Sequence, residues 1–180
     1  MDASLLWKVV LIDDEADIRE VTTLALEDSG FQVATAENGT IGLETCEQIQ
    51  PQIVITDVRM PGMDGIQVLE AVKQRWPDTE VIVATAFGEM ELAIRALQLD
   101  ASDFINKPIH DQELQLALKR AQQRYLSRKQ LADYTALLEK ENAQTSQQLI
   151  KMFEFKRNLT ESAMDGILAC DMKGAIISFR

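Results

Sequence analysis

The sequence predicts an α/β fold: a doubly wound parallel sheet made of five β–α repeats, followed by one long helix. Within residues 1–110, short uninterrupted apolar runs alternate with stretches whose apolar residues recur at helical spacing. Uninterrupted apolar runs are typical of strands that are covered by helices on both faces. From Asp111 to Asn158 there is neither Gly nor Pro, and good helix formers dominate, which predicts a continuous helix.

The repeats follow one another with short connections. The strands are predicted at Lys8–Asp13, Phe31–Ala36, Gln52–Asp57, Glu80–Thr85 and Ser102–Asn106. The intervening helices are predicted at Ala16–Ser29, Thr40–Ile49, Ile66–Trp76 and Glu89–Leu99. Gly30, Pro51 and Pro77 end the first three of these helices, as helix breakers do. This order favours the flavodoxin-like arrangement, in which the chemistry lies at the carboxyl ends of the strands.

Charge is divided unevenly along the chain, whose net charge is −11. Residues 1–110 carry 20 acidic and 7 basic side chains, whereas residues 111–180 carry 9 acidic and 11 basic ones. An acidic first domain argues against nucleic-acid binding, because phosphate contacts need Lys and Arg. Apolar runs fall short of the roughly 20 residues that span a membrane. Cys46 and Cys170 lack metal-ligand spacing, which indicates reduced thiols in a cytoplasmic protein.

Polar residues stand where four of the predicted strands end. Asp13 and Asp14 end the first strand, Asp57 the third and Thr85 the fourth, and Lys107 follows the fifth. These strand ends share one edge of a doubly wound sheet, so the side chains should converge. Crowded carboxylates favour Mg²⁺, which prefers oxygen ligands and also binds phosphate. Lys107 would neutralise phosphoryl oxygens, and a carboxylate is a competent nucleophile for phosphoryl transfer.

Four segments together resemble the receiver domain of bacterial response regulators in their order and spacing. They are Ile12–Glu15, Asp57–Gly65, Ala84–Ala86 and Lys107–Pro108, within a resemblance that covers roughly residues 6–125. The resemblance implies a module of a two-component phosphorelay, which receives a phosphoryl group from the phosphohistidine of a partner protein. Whether such a module counts as an enzyme is left open, since a receiver promotes its own phosphorylation and dephosphorylation.

The resemblance also implies a role for each residue of the site. Asp57 is expected to be the phosphoacceptor, with Mg²⁺ bound by Asp13, Asp14, Asp57 and the backbone carbonyl of Arg59. Thr85 and Lys107 would contact the phosphoryl group, and Phe104 would be the switch aromatic that rotates as Thr85 moves inward. Asp100 stands where the family often has Gly, which raises the question of a positive φ at that position.

The helix after His110 is predicted to serve as a linker. Leu114, Leu118, Ala121 and Tyr125 form one stripe, and a seven-residue repeat follows at Leu131, Leu138, Thr145, Met152 and Leu159. This spacing favours a parallel coiled coil that joins two copies of the chain through residues 114–158. A lone helix folded back on the receiver and a partly frayed linker are the alternatives.

The last stretch of the sequence changes character. Gly166–Cys170 and Ala175–Phe179 are predicted strands around a turn at Asp171–Gly174, and they resemble the start of a PAS sensor domain. The expected organisation is therefore a receiver at 1–125, a coiled-coil helix at 111–158 and a truncated α+β PAS-like segment at 159–180. For the output of a longer protein a histidine kinase is favoured; a cyclic-di-GMP enzyme, a phosphatase and an AAA+ activator remain open.

Three other functions compete with the receiver interpretation. A haloacid-dehalogenase-like phosphatase would need Asp-x-Asp after the first strand, where this chain has Asp13-Asp14. An FMN-binding flavodoxin would need a phosphate-cradling loop there, and clustered carboxylates would repel the phosphate. A degenerate receiver that acts only as a scaffold would not need the complete set of residues. His110, the only histidine, is expected at the surface at the start of a helix.

Overall fold

The computed structural model of the protein describes residues 6–86 and 90–168. The strands are β1 Lys8–Ile12, β2 Gln32–Ala36, β3 Ile53–Asp57, β4 Glu80–Ala86 and β5 Asp103–Lys107. The helices are α1 Ala16–Asp28, α2 Gly39–Ile49, α3 Gly65–Arg75, α4 Met90–Gln98 and α5 Asp111–Leu168. Up to the start of α5, each bound lies within one residue of the bound that the sequence predicts. Strongly apolar runs and helix breakers therefore located the elements well.

The five strands form one parallel sheet in the order β2-β1-β3-β4-β5. Alternate residues of each strand point to opposite faces, so the sheet has a hydrophobic core on each face. Val10 and Val54 face one core, which α2, α3 and α4 cover. Leu11 and Ile55 face the other core, which α1 and the first part of α5 cover. The doubly wound fold predicted from the sequence is therefore confirmed, and its covered faces explain the uninterrupted apolar runs.

The first turns of α5 belong to the core of the sheet domain. Leu114, Ala117 and Leu118 are each 1% exposed, and Ala121 is fully buried. The homodimer interface predicted through residues 114–158 is therefore wrong for this part of the helix. The reason is that a helix docked on a sheet and a helix in a coiled coil both need apolar residues three and four positions apart. The stripe that predicted a seam is instead the face that covers the second core.

The chain divides into two compact units, which meet in sequence between Gln130 and Leu131. In the second unit, every side chain from Leu131 to Leu159 is exposed. Its helix continues to Leu168 rather than ending at Asn158. The strand predicted at Gly166–Cys170 is accordingly wrong for its first three residues, because the sequence places no Gly or Pro before Gly166 to end the helix. The rest of the PAS-like segment lies outside the described residues.

Across the described part of the chain, each helix is too short or too polar to cross a lipid bilayer.

Candidate functional site

Three carboxylates and one ammonium group meet at the carboxyl edge of the sheet. Lys107 Nζ lies 2.8 Å from Asp13 Oδ2 and 2.5 Å from Asp57 Oδ2. Asp13, Asp14 and Asp57 each present an oxygen atom within 4.8 Å of the other two. The structure thus brings together four side chains that lie between positions 13 and 107 of the sequence.

The pairing of the strands produces this convergence. Ile12, directly before Asp13, pairs with Thr56, directly before Asp57, so β1 and β3 end side by side. Asp57 pairs with Ala84 of β4, and Ala86 of β4 pairs with Lys107 of β5. Lys107 therefore lies two strands away from Asp57, whereas Asp13 lies on the strand next to it. Its long side chain spans the end of β4 to reach both carboxylates.

The two inner carboxylates are buried and fully engaged. Asp13 is 1% exposed and Asp57 is 6% exposed, whereas Asp14 is exposed to solvent. Asp13 Oδ1 accepts a hydrogen bond from the backbone N–H of Glu15 at 2.9 Å, and Asp57 Oδ1 accepts one from the N–H of Arg59 at 3.2 Å. In each carboxylate one oxygen contacts the backbone and the other contacts Lys107. This arrangement fixes the orientation of both groups before any ligand binds.

Burial dominates the electrostatics of the site. It raises the pKa of Asp57, a shift that Lys107 and the Arg59 N–H only partly oppose and that the Asp13 carboxylate reinforces. Burial alone would lower the pKa of Lys107, but its hydrogen bonds to Asp13 and Asp57 outweigh burial and raise that pKa. Lys107 is thus held as a cation between Asp13 and Asp57, whose negative charges repel each other. An oxygen-only donor set with excess negative charge fits a hard divalent cation such as Mg²⁺.

The residues expected to act as a switch lie on β4 and β5. Thr85 is 2% exposed and directly follows Ala84, the residue that pairs with Asp57. Phe104 is partly buried on the neighbouring strand, where it pairs with Val83. Arg59, whose carbonyl was predicted to bind metal, lies two residues beyond Asp57 at an open cleft of about 520 Å³ that Asp14 also lines.

Two features of the site were not anticipated from the sequence. Glu15 places a carboxylate oxygen 3.6 Å from Lys107 Nζ, at the solvent side of the cluster. Gly65 packs so closely that a Cβ atom built on it would lie 2.1 Å from the carbonyl oxygen of Asp57. The signal for Gly65 was its place after Asp64, which begins α3 with a reciprocal capping box to Gln67. The cap and the glycine together hold the loop that follows Asp57.

Cys46 takes no part in this chemistry. It is a free thiol on the buried face of α2, in the first hydrophobic core. Burial raises its pKa to about 12, so the thiolate that would act as a nucleophile is scarce at neutral pH.

Comparison with known proteins agrees with this geometry. Residues 9–119 match the family described as "Response regulator receiver domain". The chain is 36% identical over 124 residues to the regulatory protein AtoC of Escherichia coli K12, which covers 69% of this chain and 27% of AtoC. It is 35% identical over 130 residues to the DNA-binding transcriptional regulator NtrC of the same strain, which covers 72% of this chain and 27% of NtrC.

Solved structures show the same likeness. A response regulator receiver domain protein from Clostridium thermocellum superposes with a TM-score of 0.64 at 33% identity, over 71% of this chain and 99% of that one. NtrX from Brucella abortus gives a TM-score of 0.66 at 29% identity, over 70% of this chain and 29% of NtrX. The chain therefore spans about a quarter of the length of AtoC and NtrC.

Proposed function

Because the chain belongs to the response regulator receiver domain family, we propose that Asp57 accepts a phosphoryl group from the phosphohistidine of a partner kinase. The observation that carries this proposal is the pair of contacts from Lys107 Nζ to Asp13 and Asp57, beside an oxygen-only cluster. Such a cluster binds a divalent cation and places a positive charge where phosphoryl oxygens gather.

In the proposed reaction, an oxygen of Asp57 attacks the phosphorus atom in line with the P–N bond of the donor. The new O–P bond forms as the P–N bond breaks, and the bonding electron pair stays with the donor imidazole, which takes up a proton. Lys107 exchanges its contact with Asp57 Oδ2 for a phosphoryl oxygen while it keeps its contact with Asp13. The N–H of Arg59 holds Asp57 Oδ1, so that only one oxygen is available for attack.

The proposed cofactor is Mg²⁺, held by Asp13, Asp14 and Asp57 with the backbone carbonyl of Arg59. When bound, the ion neutralises the charge that gathers on the transferring oxygens. Asp14 is exposed and would reach the ion from the solvent side, whereas Asp13 is buried and already oriented by the Glu15 N–H. Burial and the Asp13 carboxylate disfavour the charged form of Asp57 and raise its pKa, and a bound cation would oppose both effects.

For the response to phosphorylation we propose Thr85 and Phe104 as the moving pair. The Thr85 hydroxyl would donate a hydrogen bond to the new phosphoryl group, and Phe104 would rotate into the space that Thr85 leaves. The two residues lie on neighbouring strands, with Thr85 near the carboxyl end of β4 and Phe104 opposite Val83 on β5, and the Phe104 side chain is only partly buried. The face formed by α4, β5 and α5 would then report the state of Asp57.

We further propose that two copies of the chain pair through the exposed part of α5. Leu131, Leu138, Met152 and Leu159 belong to one seven-residue repeat, whose middle position is Thr145, and these four are 67%, 40%, 61% and 55% exposed. A row of exposed apolar side chains at this period is typical of a coiled-coil seam. Sedimentation velocity is expected to show a dimer that Leu138→Asp dissociates; a monomeric native chain would contradict the seam.

The output of the whole protein is also a proposal. AtoC is named a regulatory protein and NtrC a DNA-binding transcriptional regulator. These relatives favour control of transcription over the histidine kinase, PAS-containing or otherwise, that the sequence alone favoured. Incubation of the full-length protein with ATP separates the two: stable phosphohistidine would support a kinase, whereas its absence together with DNA binding would support a regulator.

Treatment with acetyl phosphate and Mg²⁺, followed by intact-mass spectrometry, tests the assignment of Asp57. The native chain is expected to gain one phosphoryl group, and Asp57→Asn is expected to gain none. Asp64→Asn is the matched control, since it removes a carboxylate from the same loop while Asn still caps α3.

Two outcomes would overturn the assignment. Phosphorylation of Asp57→Asn at the native level would place the acceptor elsewhere. Steady turnover of a phosphate monoester, rather than a single modification, would instead favour the haloacid-dehalogenase-like phosphatase.

A further inference from the structure

A second group of charged side chains lies at the amino edge of the sheet, opposite Asp57. We call it the basal ion cluster: Lys73 of α3, Glu80 at the start of β4, Asp100 and Ser102 before β5, and Arg124 and Arg128 of α5. It joins three layers of the receiver unit, and the proposed phosphorylation chemistry does not use it.

Glu80 is the centre of the basal ion cluster. Its side chain is fully buried, and the Ser102 hydroxyl donates a hydrogen bond to Oε2 at 2.5 Å. Arg128 Nε lies 3.2 Å from Oε1, Arg124 Nε lies 3.4 Å from Oε2, and Lys73 Nζ lies 3.6 Å from Oε2. A buried carboxylate is tolerated only with such partners, because its desolvation cost is otherwise unmatched.

The two arginines are each held at several points. Arg124 donates to Asp100 Oδ1 at 2.5 Å and to the carbonyl oxygen of Ala101 at 3.2 Å. Arg128 donates to Asp100 Oδ2 and, at 2.8 Å, to the carbonyl oxygen of Pro77. Each planar guanidinium therefore contacts two or more oxygens of fixed direction, which orders its side chain.

The basal ion cluster begins where the apolar docking of α5 ends. Ala121 is the last α5 residue in the second core. Among residues 122–130, all of which the structure describes, no side chain is buried. Within this segment, the ring of Tyr125 packs edge-on against that of Trp7, with the ring centroids 5.4 Å apart. Hydrophobic burial alone would thus leave the helix weakly held after Ala121.

We propose that the basal ion cluster is a clamp that keeps α5 docked on the receiver unit as far as Arg128. It thereby sets the point from which the helix is free to bind another chain. The clamp is anchored in the rigid sheet through Glu80, so removal of Glu80 or Arg128 releases residues 122–130 while Leu114 and Leu118 keep the earlier turns in place.

Hydrogen exchange followed by mass spectrometry on the full chain tests the clamp. In Glu80→Gln and in Arg128→Gln, amides of residues 122–130 are expected to exchange at least about tenfold faster, whereas those of residues 112–118 change little. Arg128→Gln keeps the test decisive should Glu80→Gln fold poorly, because Arg128 is at the surface of the cluster. Lys129→Gln is the matched control, with the same loss of charge at an exposed neighbouring position.

The proposal is overturned if neither variant accelerates exchange at residues 122–130. It is equally overturned if exchange rises uniformly along the receiver unit, since the cluster would then support general stability only. An effect of Lys129→Gln equal to that of Arg128→Gln would show that net charge, rather than the clamp, governs the segment. Acetyl phosphate labelling of Asp57 is expected to be unchanged in all three variants, so failure of the clamp and failure of the proposed phosphorylation are separately visible.

Discussion

Replacement of Gly65 by Ala should damage both the stability of the receiver unit and the geometry of Asp57. The added Cβ would lie 2.1 Å from the Asp57 carbonyl oxygen, 2.8 Å from its carbonyl carbon and 2.9 Å from the Cα of Val58. All three are backbone atoms, so no side chain can rotate away to make room. The end of β3 or the start of α3 must move instead.

The size of the movement sets the expected cost. Cβ atoms essentially never approach another heavy atom within 3.0 Å, so the backbone must shift by about 1 Å. Overpacking in a close-packed interior costs about 1–3 kcal/mol, and we expect about 3 kcal/mol because rigid backbone is displaced. Domains typically have an unfolding free energy of about 5–15 kcal/mol, so the receiver unit is expected to remain folded after such a loss. A displacement of about 1 Å in a reacting group can slow a reaction by up to about a hundredfold.

Two assays measure these effects. Urea denaturation gives the free energy of unfolding, and acetyl phosphate labelling gives the rate of phosphorylation of the folded protein. Gly62→Ala is the control in the same loop: Gly62 has a φ of +82° and nothing within 4 Å of an added Cβ. It should therefore cost only about 1 kcal/mol, from backbone strain in the left-handed region. Equal losses of stability in the two variants, or an unchanged rate in Gly65→Ala, would refute the close-packing argument.

Two further predictions concern α5 and the basal ion cluster. Burial acts to raise the pKa of Asp100, but its hydrogen bond from Arg128 and the nearby positive charges prevail and lower it. Its stabilising contribution is thus present above about pH 4 and lost as pH falls through the folded-state pKa. Asp100→Asn should lower the unfolding free energy near neutral pH by at most about 1 kcal/mol, because half of the side chain is exposed. Urea denaturation at a series of pH values measures this difference, and a difference that persists at a pH where Asp100 is protonated would contradict the prediction. Leu118→Ala should cost about 2–5 kcal/mol in urea denaturation, whereas Leu138→Ala in dilute protein should stay within about 0.5 kcal/mol; similar losses would contradict the division of α5.

The positions of the strands and of the site were predictable because their signals are local or follow from topology. Most of the strands are apolar runs, and Asp13, Asp57, Thr85 and Lys107 each stand at or next to the end of a strand. Once the repeats indicate a parallel doubly wound sheet, Asp13, Asp57 and Lys107 must share one edge. The positive φ of 68° at Asp100 was also open to prediction, since that position suits a residue that tolerates the left-handed region.

The features that were missed depend on tertiary context. Leu114 and Leu118 have the spacing of a coiled-coil seam, and only the presence of an uncovered sheet face decides that they dock there. Glu80 is charged, and charged residues usually lie at the surface. Its partners give no local signal, because Lys73 lies in the preceding helix, α3, and Arg128 lies far along the chain in α5. Gln50 adopts a φ of 49° at the end of α2, where the sequence offers no Gly to signal a left-handed residue.

The pairing of β1, β3, β4 and β5 has a consequence for how this protein can vary. Each strand advances about 3.3 Å per residue and turns alternate side chains to opposite faces. A deletion or insertion of one residue inside β3 would carry Asp57 away from Lys107 and invert the core-facing set of that strand at the same time. Changes of loop length at the opposite edge leave the ladder intact, so they are the alterations that the reacting groups can survive.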